Sequence, residues 1–451
     1  MGNFDRNPSS EVAEFLPTVN SDSFSKQQID DIKYYFLDTI GVTLAGSATG
    51  AGRVSRFMAE EDEGTISVIG YDIQSSLTTA SFVNGTAAHT LDYDDYSESI
   101  SGHPSVILVP TILGVTEYID EPVTGNDAIE AYIAGFETMA YLGKPILDSH
   151  YEHGWHSTGT LGTFGAAAVV ASLLDYDAEE IATTINIAAS MVSGLRANFG
   201  TMTKPMHVGH AIRSGITAAR LASNGFTASK AATDDSTGFV YVYAGERTPE
   251  SAESIKLGSE WSIERDGVNL KKYPSCGATQ SPIAATDSLV SKYKISPSDI
   301  DRVEVIASPI TGDALIYPDP STAFEAKFSM HYTVARMIHD RTITIDTFTD
   351  EAVTDSSIRD SMDRIEHVID ENLDYNSFEA EVIIETSSGQ YHERILHPPG
   401  HSENPMSGEE HVSKFIDCAQ RASSSVDSTS VIEFVRSIDQ QPNVASLMDL
   451  L

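Results

Sequence analysis

The sequence predicts a mainly α protein: a large all-helical domain carrying a smaller α+β lid. Three observations predict it. From about residue 25 to 245 the apolar residues keep the period of a helix, and small residues are abundant. After Trp261 the texture turns to alternating and β-branched stretches. After residue 397 a helical pattern returns. The expected division is therefore 1–265 for the first helical part, 266–396 for the lid, and 397–451 for the return to the helical domain.

Within the first part, Ile129, Tyr132, Ile133 and Phe136 recur at i, i+3, i+4, i+7 and give one apolar face. Asp177 and Glu180 have the spacing of an N-cap and its N3 partner, with Asp in place of the usual Ser or Thr. The runs TFGAAAVVASLL and HAIRSGITAARLASNG are rich in small residues, as expected where helices approach closely. In the lid, RVEVIAS (302–308), TITI (342–345) and FEAEVIIET (378–386) read as strands, SSGQ (387–390) as a hairpin turn, and AKFSMHYTVARMIH (326–339) as a helix. HPPGHSENP (397–405) reads as a connector to a final helix over 408–423.

The charge limits the partners. Against 28 Lys+Arg stand 66 Asp+Glu, a net charge of -38, with the acids dispersed along the chain rather than gathered in a tail. Such a surface stays hydrated where salt screens its self-repulsion, so the expected setting is a salt-rich, halophilic cytoplasm. Nucleic acid and anionic membrane would both be repelled. Two cysteines, Cys276 and Cys418, make neither a disulfide framework nor the thiolate set of an iron–sulfur cluster. MGNFDRNPSS lacks an apolar signal segment, and the most apolar run, 164–174, is too short to span a bilayer. A cytoplasmic protein is expected.

Basic residues are scarce, which makes their positions informative. Only Lys144, Lys204 and Lys230 fall between Lys33 and Lys256. In TKPMHVGHAIR, Lys204, His207, His210 and Arg213 follow at three-residue intervals, and a helix beginning at Pro205 would present them near its N-terminus as an anion site. GWHSTGT (154–160) puts His156 before an Ala-rich helix; taken alone, such a histidine is more often structural than catalytic. LKKYPSCGATQ (270–280) places Lys271, Lys272, Tyr273 and Cys276 where a lid would meet the bundle. In LDYDDYSESISGHPS (91–105), Asp92, Asp94 and Asp95 precede His103. These carboxylates could hold Mg²⁺ or Mn²⁺, but no HxxxH or HExxH pattern joins them, and no metal is expected. There is no GxSxG elbow, no GxGxxG after a strand and no GxxxxGK[ST].

Taken together and in order, DTIGVTLAGS (38–47), NGTAAHTLDYDDY (84–96), GHPS (102–105), GWHSTGTLGTFGAAA (154–168), KPMHVGHAIRSGITAARLASNGFTA (204–228), KKYPSC (271–276), AKFSMHYTVA (326–335) and NPMS (404–407) resemble the MmgE/PrpD family. The likeness spans nearly the whole chain. It implies a helical domain with an α+β lid, a homodimer, no metal or other cofactor, and a small anionic polycarboxylate as substrate. It also implies catalytic roles for Asp92, His103, His156 and Lys204, with Lys271, Lys272, Tyr96, His207, Tyr273 and Cys276 toward the substrate. Four departures stand out. Tyr96 replaces a Thr, one extra residue precedes His103, Gln280 stands where a histidine is common, and Cys276 stands where the decarboxylase branch is expected to have a histidine. The expected reaction is dehydration of 2-methylcitrate by proton abstraction alpha to a carboxylate. The alternatives are decarboxylation of cis-aconitate, epimerisation or isomerisation of a dicarboxylate, and a catalytically silent binding protein. Crowded carboxylates raise one another's pKa, so Asp92 is expected to hold a proton near neutrality, with Asp94 and Asp95 capping, orienting or facing solvent.

Overall fold

The computed structural model describes residues 7–234, 236–245, 256–375 and 377–451. It is mainly α, with a four-stranded sheet toward the C-terminal half. The helical body is built from long helices at Lys26–Ser47, Leu77–His89, Ser105–Tyr118, Gly125–Gly143, Ser157–Leu173, Ala178–Ala188 and Thr203–Ser223. Their starts are legible in the chain. Reciprocal capping boxes form at Ser25/Gln28, Thr124/Asp127 and Asp177/Glu180, so the Asp-for-Ser exchange at 177 keeps the cap. Ile129, Tyr132, Ile133 and Phe136 are all fully buried. The small-residue segments meet as expected: a Cβ on Gly215 would lie 2.6 Å from the Ala166 Cβ and from the Ala167 nitrogen.

Two large apolar cores and two small clusters result among the described residues. The larger joins Val12, Phe36, Ile107, Tyr132, Phe164 and Ile212 to Met406, Phe415, Val431 and Leu447. The second core is made by Tyr273, Ile283, Val303, Val305, Tyr332, Val382 and Ile384. Its sheet runs Ile365–Ile369, Ile300–Ala307, Ala380–Thr386, Gly389–Ile395 in spatial order. The first pair is parallel and the other two antiparallel. Thr386 pairs with Gly389 across the hairpin expected at SSGQ.

Three expectations are corrected. TITI (342–345) is not a strand: Thr344 caps a short 3₁₀ turn at Ile345–Thr347. The central strand's second neighbour is instead Ile365–Ile369, which the sequence reading passed over. Within AKFSMHYTVARMIH the helix proper is Met330–Asp340, capped by the Ser329 side chain; Lys327 lies just before it. The helix at Gly408–Ala419 is also not the last, since Ser428–Arg436 follows it.

Candidate active site

The Leu77–His89 helix ends in a turn that carries the acidic run. Asp92 adopts φ 52°, a left-handed conformation that Asp tolerates better than most residues. The chain then pairs briefly as a strand, Asp95–Tyr96 against Asn269–Leu270, before His103 and the Ser105–Tyr118 helix. Lys204 lies in the first turn of the Thr203–Ser223 helix, and His156 is the N-cap residue of Ser157–Leu173.

These elements converge on one cluster. The Asp92 carboxylate accepts from Lys271 Nζ at 2.6 Å and pairs with Lys204 Nζ at 3.1 Å. Burial opposes its ionisation, but Lys204 and Lys271 outweigh that and hold it well below the usual range. The expectation that crowding raises Asp92 is thus corrected: two ammonium groups dominate. Asp94 does not face solvent. It is fully buried, and its Oδ2 lies 2.8 Å from His89 Nδ1 and 3.0 Å from His103 Nδ1. Asp95 is buried too; its carboxyl accepts from the Ser105 amide and bonds the Ser105 hydroxyl, while its backbone oxygen accepts from His103 Nδ1. Burial, reinforced by Asp94, pushes Asp95 up to about 8, so the crowding effect falls there.

The partners decide the tautomers. His103 Nδ1 faces a carboxylate and a carbonyl, both acceptors, so it carries the proton and Nε2 keeps a free lone pair. His156 Nδ1 lies 3.1 Å from His207 Nδ1, with one proton shared between them. Burial, with His207 and Lys204 adding to it, lowers His156 well below the ordinary imidazole value; burial likewise lowers His103. Both are neutral bases at neutral pH.

In front of this cluster lies a cleft of about 630 Å³. His103, His156 and Lys204 line it together with Tyr96, Cys276, Phe199, Phe328 and Phe378. Lys204 sits 5.2 Å from the Phe199 ring and 4.9 Å from the Phe328 ring. Burial, then Asp92, raises the Cys276 thiol to about 11, so it stays un-ionised.

Of the residues expected from the sequence, Asp92, His103, His156 and Lys204 are brought together, with Tyr96 and Cys276 lining the same cleft. Lys271 is behind, on Asp92, and His207 is behind His156. Lys272 is not in the site: it is exposed and pairs with Glu410 at 3.3 Å. Tyr273 packs in the lid core. His210 and Arg213 meet each other at 3.4 Å rather than extending the cluster, because three-residue steps drift around a helix. Sequence reasoning missed His89, Lys327 and Lys414. Lys414 Nζ bonds Asp38 at 2.7 Å and the Lys271 carbonyl at 2.8 Å, and so braces Lys271. For the two lysines the available signal was the scarcity of lysine itself, applied to the AKFS and HVSK segments less strictly than to 204.

Two groupings among the described residues bring metal-ligand atoms within 4.8 Å of one another: His89, His103, His156, and His89, Asp92, Asp94, His103. Neither donor set fits a cation. Both Asp92 oxygens already face ammonium groups, and Lys204 acts electrostatically on all three imidazoles.

Neutral imidazoles and fixed ammonium groups around a cleft suit acid–base chemistry that stabilises anionic charge. Sequence comparison agrees. Residues 10–252 match the MmgE/PrpD N-terminal domain and residues 273–440 the MmgE/PrpD C-terminal domain. The chain belongs to the MmgE/PrpD family. It is 27% identical to cis-aconitate decarboxylase of Homo sapiens over 434 residues, covering 93% of this chain and 89% of that protein. The Mus musculus cis-aconitate decarboxylase is 27% identical over 85% of this chain and 80% of its own. That of Aspergillus terreus is 24% identical over 98% and 95%. Family and relatives together support a lyase-type reaction.

Proposed function

We propose that this enzyme is a lyase for a small polycarboxylate, and that the reaction is dehydration of 2-methylcitrate to 2-methyl-aconitate. The observation that carries the reading is the pair of histidines with different duties. His103, protonated at Nδ1 by its partners, offers Nε2 as the base that takes the carbon-bound proton. The electron pair released forms the carbon–carbon double bond as the hydroxyl departs. His156, whose ring lies 6.5 Å from that of His103 and is coupled to His207, delivers the proton that lets the hydroxyl leave as water. The substrate brings the negative charge that offsets Lys204 and raises His156 toward its protonated form. Lys204, half-sheathed by Phe199 and Phe328, meets the enolate-like charge that grows on the neighbouring carboxylate.

Decarboxylation of cis-aconitate is the second reading, and the relatives favour it. Against it stands Cys276, a neutral thiol where the resemblance leads one to expect an imidazole in that branch. Incubation with 2-methylcitrate, citrate and cis-aconitate, followed by NMR, separates the two. New alkene signals from 2-methylcitrate support dehydration. Release of CO₂ from cis-aconitate with no change in 2-methylcitrate replaces it with decarboxylation. Solvent deuterium exchange alone replaces both with epimerisation.

A further inference from the structure

Among the described residues, four lysines are buried: Lys204, Lys271, Lys327 and Lys414. Three have a carboxylate at ion-pair distance, Asp92 for the first two and Asp38 for the last. Lys327 has none among the described residues. Its ammonium donates to the Leu91 carbonyl at 2.7 Å and lies 3.3 Å from that of Thr90. Two carbonyls supply dipoles but no countercharge, and a buried charge without one is costly.

That ammonium is also 5.7 Å from the Phe324 ring and 5.9 Å from the Phe348 ring. Both rings line a second cleft, of about 750 Å³, behind the catalytic turn. Thr49, Thr90, Leu91 and Arg421 line it as well. Arg421 is already matched: it holds Asp346 through two bonds of 2.7 and 3.0 Å and approaches Asp417 at 3.5 Å. Among the described residues, Lys327 is therefore the one cation lining this cleft with no carboxylate at ion-pair distance.

We propose that this second cleft binds a small oxyanion, of carboxylate or phosphoryl type, on Lys327. Its position ties it to the catalytic centre. Lys327 holds the carbonyl of Leu91, the residue before Asp92, and its own carbonyl accepts the Cys276 amide at 3.1 Å. The charge balance agrees with the geometry. Burial drives Lys327 down to about 7; Asp92 and Asp94 favour its charge, Lys204 and Lys271 oppose it, and burial prevails. An anion on it would favour the charged form, so binding above that value draws in a proton.

Calorimetric titration with acetate and with sulfate, at constant ionic strength and in buffers of differing ionisation enthalpy, tests this. Near pH 8 (about one unit above the folded value) wild type takes up most of one proton per anion bound, and near pH 5.5 almost none. Lys327→Met abolishes that uptake. Ala323→Trp, which narrows the cleft and leaves Lys327 in place, weakens binding about tenfold or more, a loss on the order of 1.4 kcal/mol. Lys204→Ala, which removes a cation opposing the charge of Lys327, shifts the uptake to higher pH without abolishing it, which separates this site from the active site and makes the result independent of the reaction assigned above. Response to acetate alone identifies a carboxylate ligand, and response to sulfate alone a phosphoryl-type one. Binding without proton uptake near pH 8, uptake that persists in both cleft variants, or no binding of either anion overturns the proposal.

Discussion

Asp94 accepts from two imidazoles at once, His89 at 2.8 Å and His103 at 3.0 Å, and so determines where the protons sit on both rings. Asp94→Asn would keep the shape but remove the negative charge both rings face, leaving the Asp95 carbonyl as the acceptor at His103 Nδ1. We expect kcat to fall by about 10²-fold or more with KM little changed, as when the carboxylate behind a general base is lost. Steady-state kinetics with unchanged circular dichroism checks this; a loss confined to KM would remove Asp94 from the mechanism. Asp95 differs, although it is the next residue. Burial and Asp94 hold its pKa near 8 in the folded chain against 3.8 in the unfolded one. Between those values the folded state binds the extra proton, so stability falls as pH rises and levels off above about 8. In Asp95→Asn that contribution is absent. Denaturation midpoints measured from pH 5 to 9 should therefore fall more steeply for wild type than for the variant.

At the scale of elements, the helices Leu77–His89 and Thr203–Ser223 carry His89, Lys204 and His207, and their approach rests on glycine. A Cβ on Gly209 would lie 2.3 Å from the Phe82 carbonyl and 2.4 Å from Thr86 Oγ1. Gly209→Ala gains up to about 1 kcal/mol of helix propensity, but overpacking against backbone costs about 1–3 kcal/mol or more. The clash should win: we expect a lower melting temperature together with a loss of turnover, because Lys204 and His207 ride on the same helix. A variant more stable than wild type would refute this. The long helices were legible because an apolar face and a capping pair are local signals, as at Ile129–Phe136 and Asp177/Glu180. TITI misled because β-branched residues also suit a connector, and Ile365–Ile369 was hidden because adjacent Glu366 and His367 interrupt its apolar pattern. The site divided in the same way. The motifs found Asp92, His103, His156 and Lys204, whereas Lys272 and Tyr273 share a motif with Lys271 yet point elsewhere. Nor could the sequence tell which of three adjacent aspartates would meet ammonium groups, which imidazoles, and which a hydroxyl, since the partners lie up to 179 residues away.

For the molecule as a whole, the charge imbalance lies at the surface. Four lysines are buried, but so are Asp38, Asp92, Asp94, Asp95 and Glu137, so the surface carries nearly all of the net charge of -38. The Debye length falls from about 10 Å at 0.1 M to about 3 Å at 1 M salt, which removes long-range repulsion and leaves the buried pairs in place. The melting temperature should rise between about 0.1 M and 1 M KCl; a fall over that range would contradict the link between acidic surface and salt. Finally, the Lys204 ammonium lies between Phe199 of the helical body and Phe328 of the lid region. Neither half alone builds the apolar sheath around the Lys204 ammonium, so changes in one half must be answered by the other during descent. Phe199→Leu and Phe328→Leu should each lower kcat/KM by roughly 3- to 30-fold, and the double variant should lose less than the product of the two. Strict multiplicativity would mean that the two rings serve Lys204 independently. Coupling would mean that a lid grafted from a distant relative brings its own fold intact and arrives without a working partner.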